Sequence, residues 1–132
     1  MILDTSFLID LKDGETSAFK KTRELNNKGI SGHITEISIY ELYYGVEYTN
    51  SEEEKRKVDN LLLIYPVIEL TDETLKIGAN LAATADRAAD EGDPEIDQLD
   101  PLIAAVAESR NEPVLTDNVS DFSELDVPIE TY

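Results

Sequence analysis

The chain has 132 residues, among them 29 acidic and 11 basic ones, which give a formal net charge of −18 at pH 7 and a pI near 4.1. Its length suits one domain, and a hydrophobic fraction of 41% supports a packed core, which excludes a compositionally disordered chain. No apolar run reaches the roughly 18–20 residues of a membrane helix, and the lack of cysteine excludes disulfides and thiolate metal sites.

Short apolar runs alternate with helical patterns along the chain. The predicted strands are residues 1–3, 30–35, 66–68, 113–115 and 127–129, the last one at an edge. The predicted helices are residues 5–11, 16–27 with Thr16 or Ser17 as the cap, 35–48, 51–63 with a capping-box pattern, 71–85 and 102–108. Residues 91–94 are predicted to form a loop. No basic region or cleavage site precedes the first strand, so we expect a cytoplasmic protein without a membrane partner.

Strands that alternate with helices indicate βαβ units, in which a parallel sheet is covered on both faces. The pattern therefore predicts an α/β fold, a three-layer α/β/α domain with a short, mostly parallel central sheet. We see no linker or internal repeat, so residues 1–132 are expected to form a single domain.

A few acidic side chains stand in places where chemistry is expected. Asp4 directly follows the first strand, and Asp100 precedes an apolar stretch at a helix N-terminus. Glu41 lies on a helix among tyrosines and leucine. Ligand sites in open α/β sheets lie at the carboxyl ends of strands. Each acid also has a simpler explanation, as a helix cap or a solvated surface group.

A second polar group follows the fourth strand and contains Thr116, Asp117, Asn118 and Asp121. Carboxylates that are packed together repel one another unless cations neutralise them. Oxygen ligands select hard ions, so Mg²⁺ or Mn²⁺ is the expected cofactor. Such ions lower the pKa of a bound water and stabilise charge on a phosphate, which predicts phosphodiester hydrolysis.

Four segments in order resemble the PIN-domain family, and specifically the VapC-like toxins of toxin–antitoxin pairs. The segments are DTSFLID at 4–10, IYELYYG at 39–45, DPLIAA at 100–105 and LTDNVSDF at 115–122. The resemblance implies a homodimeric, Mg²⁺- or Mn²⁺-dependent endoribonuclease that cleaves RNA and is inhibited by a cognate antitoxin.

By position, the resemblance implies that Asp4, Glu41 and Asp100 are the three central acids that bind the metal. We choose Asp121 as the fourth acid, with Asp117 and Asn118 as alternatives. Supporting polar residues around these acids are then Ser6, Thr116 and, flanking the site, Asp97.

The acidic surface has two interpretations, which are compatible. Screening by molar salt would relieve the mutual repulsion of the charges, so the composition is typical of adaptation to salt. A basic protein partner is the other interpretation. In either case lysine and arginine contacts to phosphate are scarce, and contacts to nucleic acid must use cations as intermediaries.

Several alternatives remain open. A haloacid-dehalogenase-type phosphatase also has an aspartate after its first strand, but it needs a second one at position 6, where this chain has Ser6. A catalytically inactive acidic module that binds a basic protein and a structure-specific DNA nuclease both fit the composition. Tyr40, Tyr43, Tyr44 and Tyr48 have helical spacing, which favours core or dimer contacts over base stacking.

Overall fold

A computed structural model of the protein describes residues 1–89 and 99–132. The strands in these residues are β1 (Ile2–Leu3), β2 (Ile34–Thr35), β3 (Val67–Ile68), β4 (Val114–Leu115) and β5 (Ile129–Glu130). The helices are α1 (Thr5–Lys12), α2 (Thr16–Asn27), α3 (Glu36–Thr49), α4 (Glu52–Ile64), α5 (Asp72–Ala88), α6 (Asp100–Arg110) and α7 (Val119–Glu124). The predicted loop at 91–94 and Asp97 lie outside the described residues.

All the strand pairings in the described residues are parallel. β4 lies between β1 and β5, β2 pairs with β3, and a single parallel bridge between Ile2 and His33 joins the two groups. The resulting order is β3-β2-β1-β4-β5, with β5 at an edge as predicted. This arrangement confirms the predicted α/β fold with a short parallel sheet.

Successive side chains of a strand point to opposite faces of a sheet, and this alternation creates two cores. Leu3 and Leu115 pack on one face, in a cluster with buried residues of α1 to α4. Ile2 and Val114, one position earlier, pack on the other face with residues of α5, α6 and α7. The helices thus form a layer on each side of the sheet, which is the three-layer arrangement that the sequence predicts.

Some predicted boundaries were wrong. The predicted strand at 30–35 is reduced to Ile34–Thr35, and of the residues before it only His33 makes a bridge. Gly29 turns the chain with a φ of 69°, and the N–H of Ile30 donates to the carbonyl of Leu25 in α2 instead of to a strand. Neither Thr16 nor Ser17 caps α2, since Thr16 is already helical and Glu15 occupies the cap position. The turn predicted after β4 continues into α7, a short helix that the polar composition did not reveal.

Glycine at position 78 allows α5 and α6 to approach each other closely. A Cβ atom at Gly78 would lie 2.8 Å from Leu102 Cδ2 and 3.3 Å from the backbone oxygen of Pro101. Pro101 follows the first residue of α6, Asp100. The contact between α5 and α6 therefore helps to fix the position of Asp100 at the start of its helix.

Candidate functional site

The candidate site lies where β1 and β4 end side by side. Leu3 is the register partner of Leu115, so the residues that follow them, Asp4 and Thr116, are neighbours. The backbone N–H of Asp4 donates to the carbonyl of Leu115 at 3.0 Å. Parallel pairing therefore brings together two polar side chains that are 112 positions apart in the sequence.

Asp4 is buried, with 4% of its surface exposed, and it accepts hydrogen bonds on both carboxylate oxygens. Its Oδ1 accepts from the backbone N–H of Thr5 at 2.8 Å, which caps α1. Its Oδ2 accepts from the hydroxyls of Ser6 and Thr116, each at 2.7 Å. Burial raises the pKa of the Asp4 carboxyl, although these hydrogen bonds act in the opposite direction. The ionised form is therefore disfavoured, and a nearby cation would stabilise it.

Thr5 connects the first acid to the helix that carries Glu41. Its hydroxyl donates to Glu41 Oε1 at 2.8 Å and lies 2.9 Å from the hydroxyl of Ser38. Ser38 and Glu41 are three residues apart on α3 and therefore share a face of that helix. Neither Thr5 nor Ser38 was predicted from the sequence as a site residue. The spacing of Ser38 from Glu41 was the available signal, but serine at that spacing is common on helices.

Asn118 connects Thr116, next to the first acid, with the two other acids, Asp100 and Asp121. Its backbone N–H donates to Thr116 Oγ1 at 2.9 Å, and its side-chain amide donates to Asp121 Oδ2 at 2.9 Å and to Asp100 Oδ2 at 3.4 Å. A neutral amide thus lies between two carboxylates that would otherwise repel each other. Asp100 is itself buried, with 5% of its surface exposed.

These contacts form one continuous chain of hydrogen bonds, which we call the acid network. Its members are Asp4, Thr5, Ser6, Ser38, Glu41, Asp100, Thr116, Asn118 and Asp121. Asp117, the alternative choice for the fourth acid, is exposed to solvent and lies outside this network. Within residues 1–89 and 99–132, no three acidic or histidine side chains are already gathered in a ligating arrangement.

The tyrosines of α3 do not form one buried stripe. Tyr40, Tyr44 and Tyr48 have 63%, 63% and 80% of their surface exposed, so a core position is wrong for these three, which leaves dimer contacts or base stacking. Tyr43 packs partly against the core and donates a hydrogen bond to Asp59. The helical repeat aligns the three exposed rings on one face, and that face points to solvent.

Thr116 is central to the acid network, and its replacement by valine tests that role. Valine keeps the shape but leaves the Asn118 N–H without its acceptor and removes a donor to Asp4, at a position that is fully buried. We expect Thr116→Val to lower the free energy of unfolding by about 1–3 kcal/mol, measured by urea denaturation.

Thr49→Val is the matched control for this substitution. The hydroxyl of Thr49 is exposed and donates only to helix carbonyls, so a change within about 0.5 kcal/mol is expected. Equal losses in the two variants would contradict the role assigned to Thr116.

Comparison with known proteins identifies a family and several solved structures with a similar fold. The chain matches the family model of the PIN domain over residues 1–128. No curated protein matches it in sequence. Among solved structures, it is similar to VapBC2 from Rickettsia felis bound to a promoter DNA fragment, with 21% identity and a TM-score of 0.83 over 99% of this chain and 97% of that chain.

Two further solved structures are similar over nearly the whole chain. DNA-bound VapBC from Salmonella typhimurium has 24% identity and a TM-score of 0.78, covering 98% of this chain and 96% of that chain. VapBC-1 from nontypeable Haemophilus influenzae has 22% identity and a TM-score of 0.79 over the same shares. At these identities the likeness shows the fold, and the family match spans almost the full sequence. The chain belongs to the PIN domain family.

Proposed function

We propose that this protein is a metal-dependent endoribonuclease that acts as the toxin of a toxin–antitoxin pair. PIN domains are nucleases, which sets the class of reaction. The observation that carries the proposal is the acid network, because it links Asp4, Glu41, Asp100 and Asp121 from four separate parts of the chain. A merely structural role does not require four acids at one end of the sheet, where their mutual repulsion is costly.

The chemistry of the donors fits Mg²⁺ or Mn²⁺. The described side chains of the acid network offer only oxygen atoms and one amide, which suits a hard cation and excludes a thiolate or imidazole site there. Asp4, Glu41, Asp100 and Asp121 would hold the ion. PIN nucleases generally use divalent metal ions. When bound, such an ion supplies an activated water and stabilises charge on the scissile phosphate.

The neutral members of the acid network position the acids for this task. Ser6 and Thr116 hold one oxygen of Asp4, while Thr5 holds its other oxygen through the backbone and holds Glu41 through the hydroxyl. Asn118 keeps Asp100 and Asp121 apart without adding charge. Fixed orientation of ligands by such surrounding hydrogen bonds commonly contributes 10- to 100-fold to metal affinity, as an order of magnitude.

The proposal includes partners. The similar solved structures from Rickettsia felis and Haemophilus influenzae are VapBC proteins, and the former is bound to promoter DNA. We infer that this chain, as one domain of residues 1–132, forms a homodimer and binds a cognate antitoxin that covers its site. In the described part of the chain no helix is both long enough and apolar enough to cross a bilayer.

The test is cleavage of RNA by the purified protein. We expect MnCl₂ or MgCl₂ to support internal cleavage of a structured RNA such as tRNA, and excess EDTA to stop it. Glu41→Gln should remove the activity, because it takes a charge from the acid network. Glu47→Gln, an exposed change on the same helix, should leave it intact.

Other outcomes separate the alternatives. Cleavage of DNA but not RNA would support a DNA nuclease. No cleavage of either, together with tight binding of a basic protein, would support the inactive acidic module. Each of these results would overturn the proposed ribonuclease function.

A further inference from the structure

A surface cavity of about 330 Å³ opens beside the acid network. Its lining residues are Thr5, Ile9, Tyr40, Glu41, Tyr44 and Leu99. This volume falls at the lower end of the roughly 300–1,000 Å³ typical of small-ligand sites. Thr5 and Glu41 belong both to the cavity and to the acid network, so a group in the cavity would lie next to the proposed reaction centre.

Two exposed tyrosine rings form one side of this cavity. Tyr40 and Tyr44 are four residues apart on α3 and therefore lie on the same face of the helix. The ring of Tyr48 stacks on that of Tyr44, with centroids 6.1 Å apart and an interplanar angle of 19°. Three large exposed rings on one helix face are typical of a surface that binds a ligand or another protein.

The charge of the cavity restricts what it can bind. Its described lining residues include no lysine or arginine, and they include the carboxylate of Glu41. The whole chain carries a net charge of −18. Without a bound cation, a phosphate group would be repelled from this surface, whereas a neutral planar ring can stack on tyrosine. Base–aromatic stacking contributes about 1–3 kcal/mol per base and requires no positive charge.

We propose that Tyr40 and Tyr44 form a subsite for an unpaired nucleobase of the RNA strand. The inference rests on the proposed ribonuclease function and adds how the strand is held. In a duplex the faces of the bases are covered by their neighbours, so the subsite selects single-stranded segments. Stacking in the cavity beside Glu41 places the adjoining phosphodiester close to the acid network.

Binding is measured separately from cleavage. The probe is a dye-labelled single-stranded RNA, followed by fluorescence anisotropy with MnCl₂ in an Asp100→Asn background that stops cleavage. Tyr40→Ala and Tyr44→Ala should each weaken binding about 5- to 150-fold, the equivalent of one stacked base. Tyr44→Phe should keep the affinity because it keeps the ring. Phe19→Ala removes a ring that is 52% exposed on α2, outside the cavity, and should have no effect.

Salt dependence distinguishes stacking from phosphate contacts. For a single strand, each phosphate contact adds a slope of about −0.7 to the plot of log affinity against log salt concentration. Stacking adds little, so the loss caused by Tyr44→Ala should be the same at low and at high KCl. A loss that disappears at high salt would overturn the proposal.

The outcomes separate this inference from the function on which it rests. Cleavage by the wild type with equal RNA affinity in the alanine and Phe19→Ala variants would overturn the subsite and leave the ribonuclease standing. Tyrosine-dependent RNA binding without cleavage by the wild type would support the subsite and overturn the ribonuclease function. If sedimentation shows that the alanine variants lose a dimer while their RNA affinity is unchanged, the rings are a protein contact and the subsite is wrong.

Discussion

Asp4→Asn should reduce RNA cleavage by at least about 10²–10³-fold while the fold is preserved. Asparagine has nearly the same shape, and the hydroxyls of Ser6 and Thr116 can rotate to accept hydrogen bonds from its amide. The negative charge, however, is lost at the buried centre of the acid network. The cleavage rate of a defined RNA under excess enzyme measures the effect directly.

Thermal unfolding provides an independent measurement on the same variant. A cation that binds only the folded protein raises the free energy of unfolding by about 2.7 kcal/mol at a concentration 100 times the Kd, and the Tm rises with it. In 2 M KCl, where ionic screening of the acidic groups already acts, MnCl₂ should therefore raise the Tm of the wild type and fail to raise that of Asp4→Asn. Asp86→Asn, an exposed change of the same type on α5, should behave as the wild type does. Full cleavage by Asp4→Asn would refute the role assigned to this residue.

The second large effect concerns salt. Raising KCl from about 0.1 to 2 M should increase the Tm by about 10 °C or more, because shorter screening lengths relieve the repulsion among the acidic groups. Potassium chloride is preferred to sulfate, since sulfate also strengthens burial of apolar surface. Circular dichroism or calorimetry at a series of salt concentrations measures the change.

A charge variant separates repulsion from other effects of salt. Glu47, Glu108 and Glu124 are exposed and lie near the C-terminal ends of α3, α6 and α7, where the helix dipole disfavours acids. Changing all three to lysine raises the net charge from −18 to −12, since each change adds two. This variant should be more stable at low salt and respond less to KCl. An unchanged response would show that repulsion is not the cause.

The fold was predictable from the sequence because strands and helices alternate with clear apolar patterns. Leu3 and Leu115 end short apolar runs, and parallel pairing then places the residues after them at one edge of the sheet. The order of the strands did not follow from these patterns. It depends on tertiary packing of helices against each face, which single-sequence patterns do not contain.

The sequence indicated the acids that the structure joins in the acid network, but not the hydroxyl side chains that join them. Asp4 and Asp100 stand at element boundaries, where a carboxylate is noticeable. Thr5 and Ser38 link Asp4 to α3, and hydroxyl residues are too common on helices to be selected from the sequence alone. The exposure of Tyr40 and Tyr44 was equally hidden, since helical spacing looks the same for a buried stripe and for an exposed one.

One measurement tests the central claim most directly. A crystal soaked in MnCl₂ would reveal Mn²⁺ by its anomalous scattering. We predict a peak within about 2.0–2.6 Å of carboxylate oxygens from at least two of Asp4, Glu41 and Asp100. A soaked crystal in which Mn²⁺ occupies other sites, while these three carboxylates carry no peak, would contradict the assignment of the acid network as a metal centre.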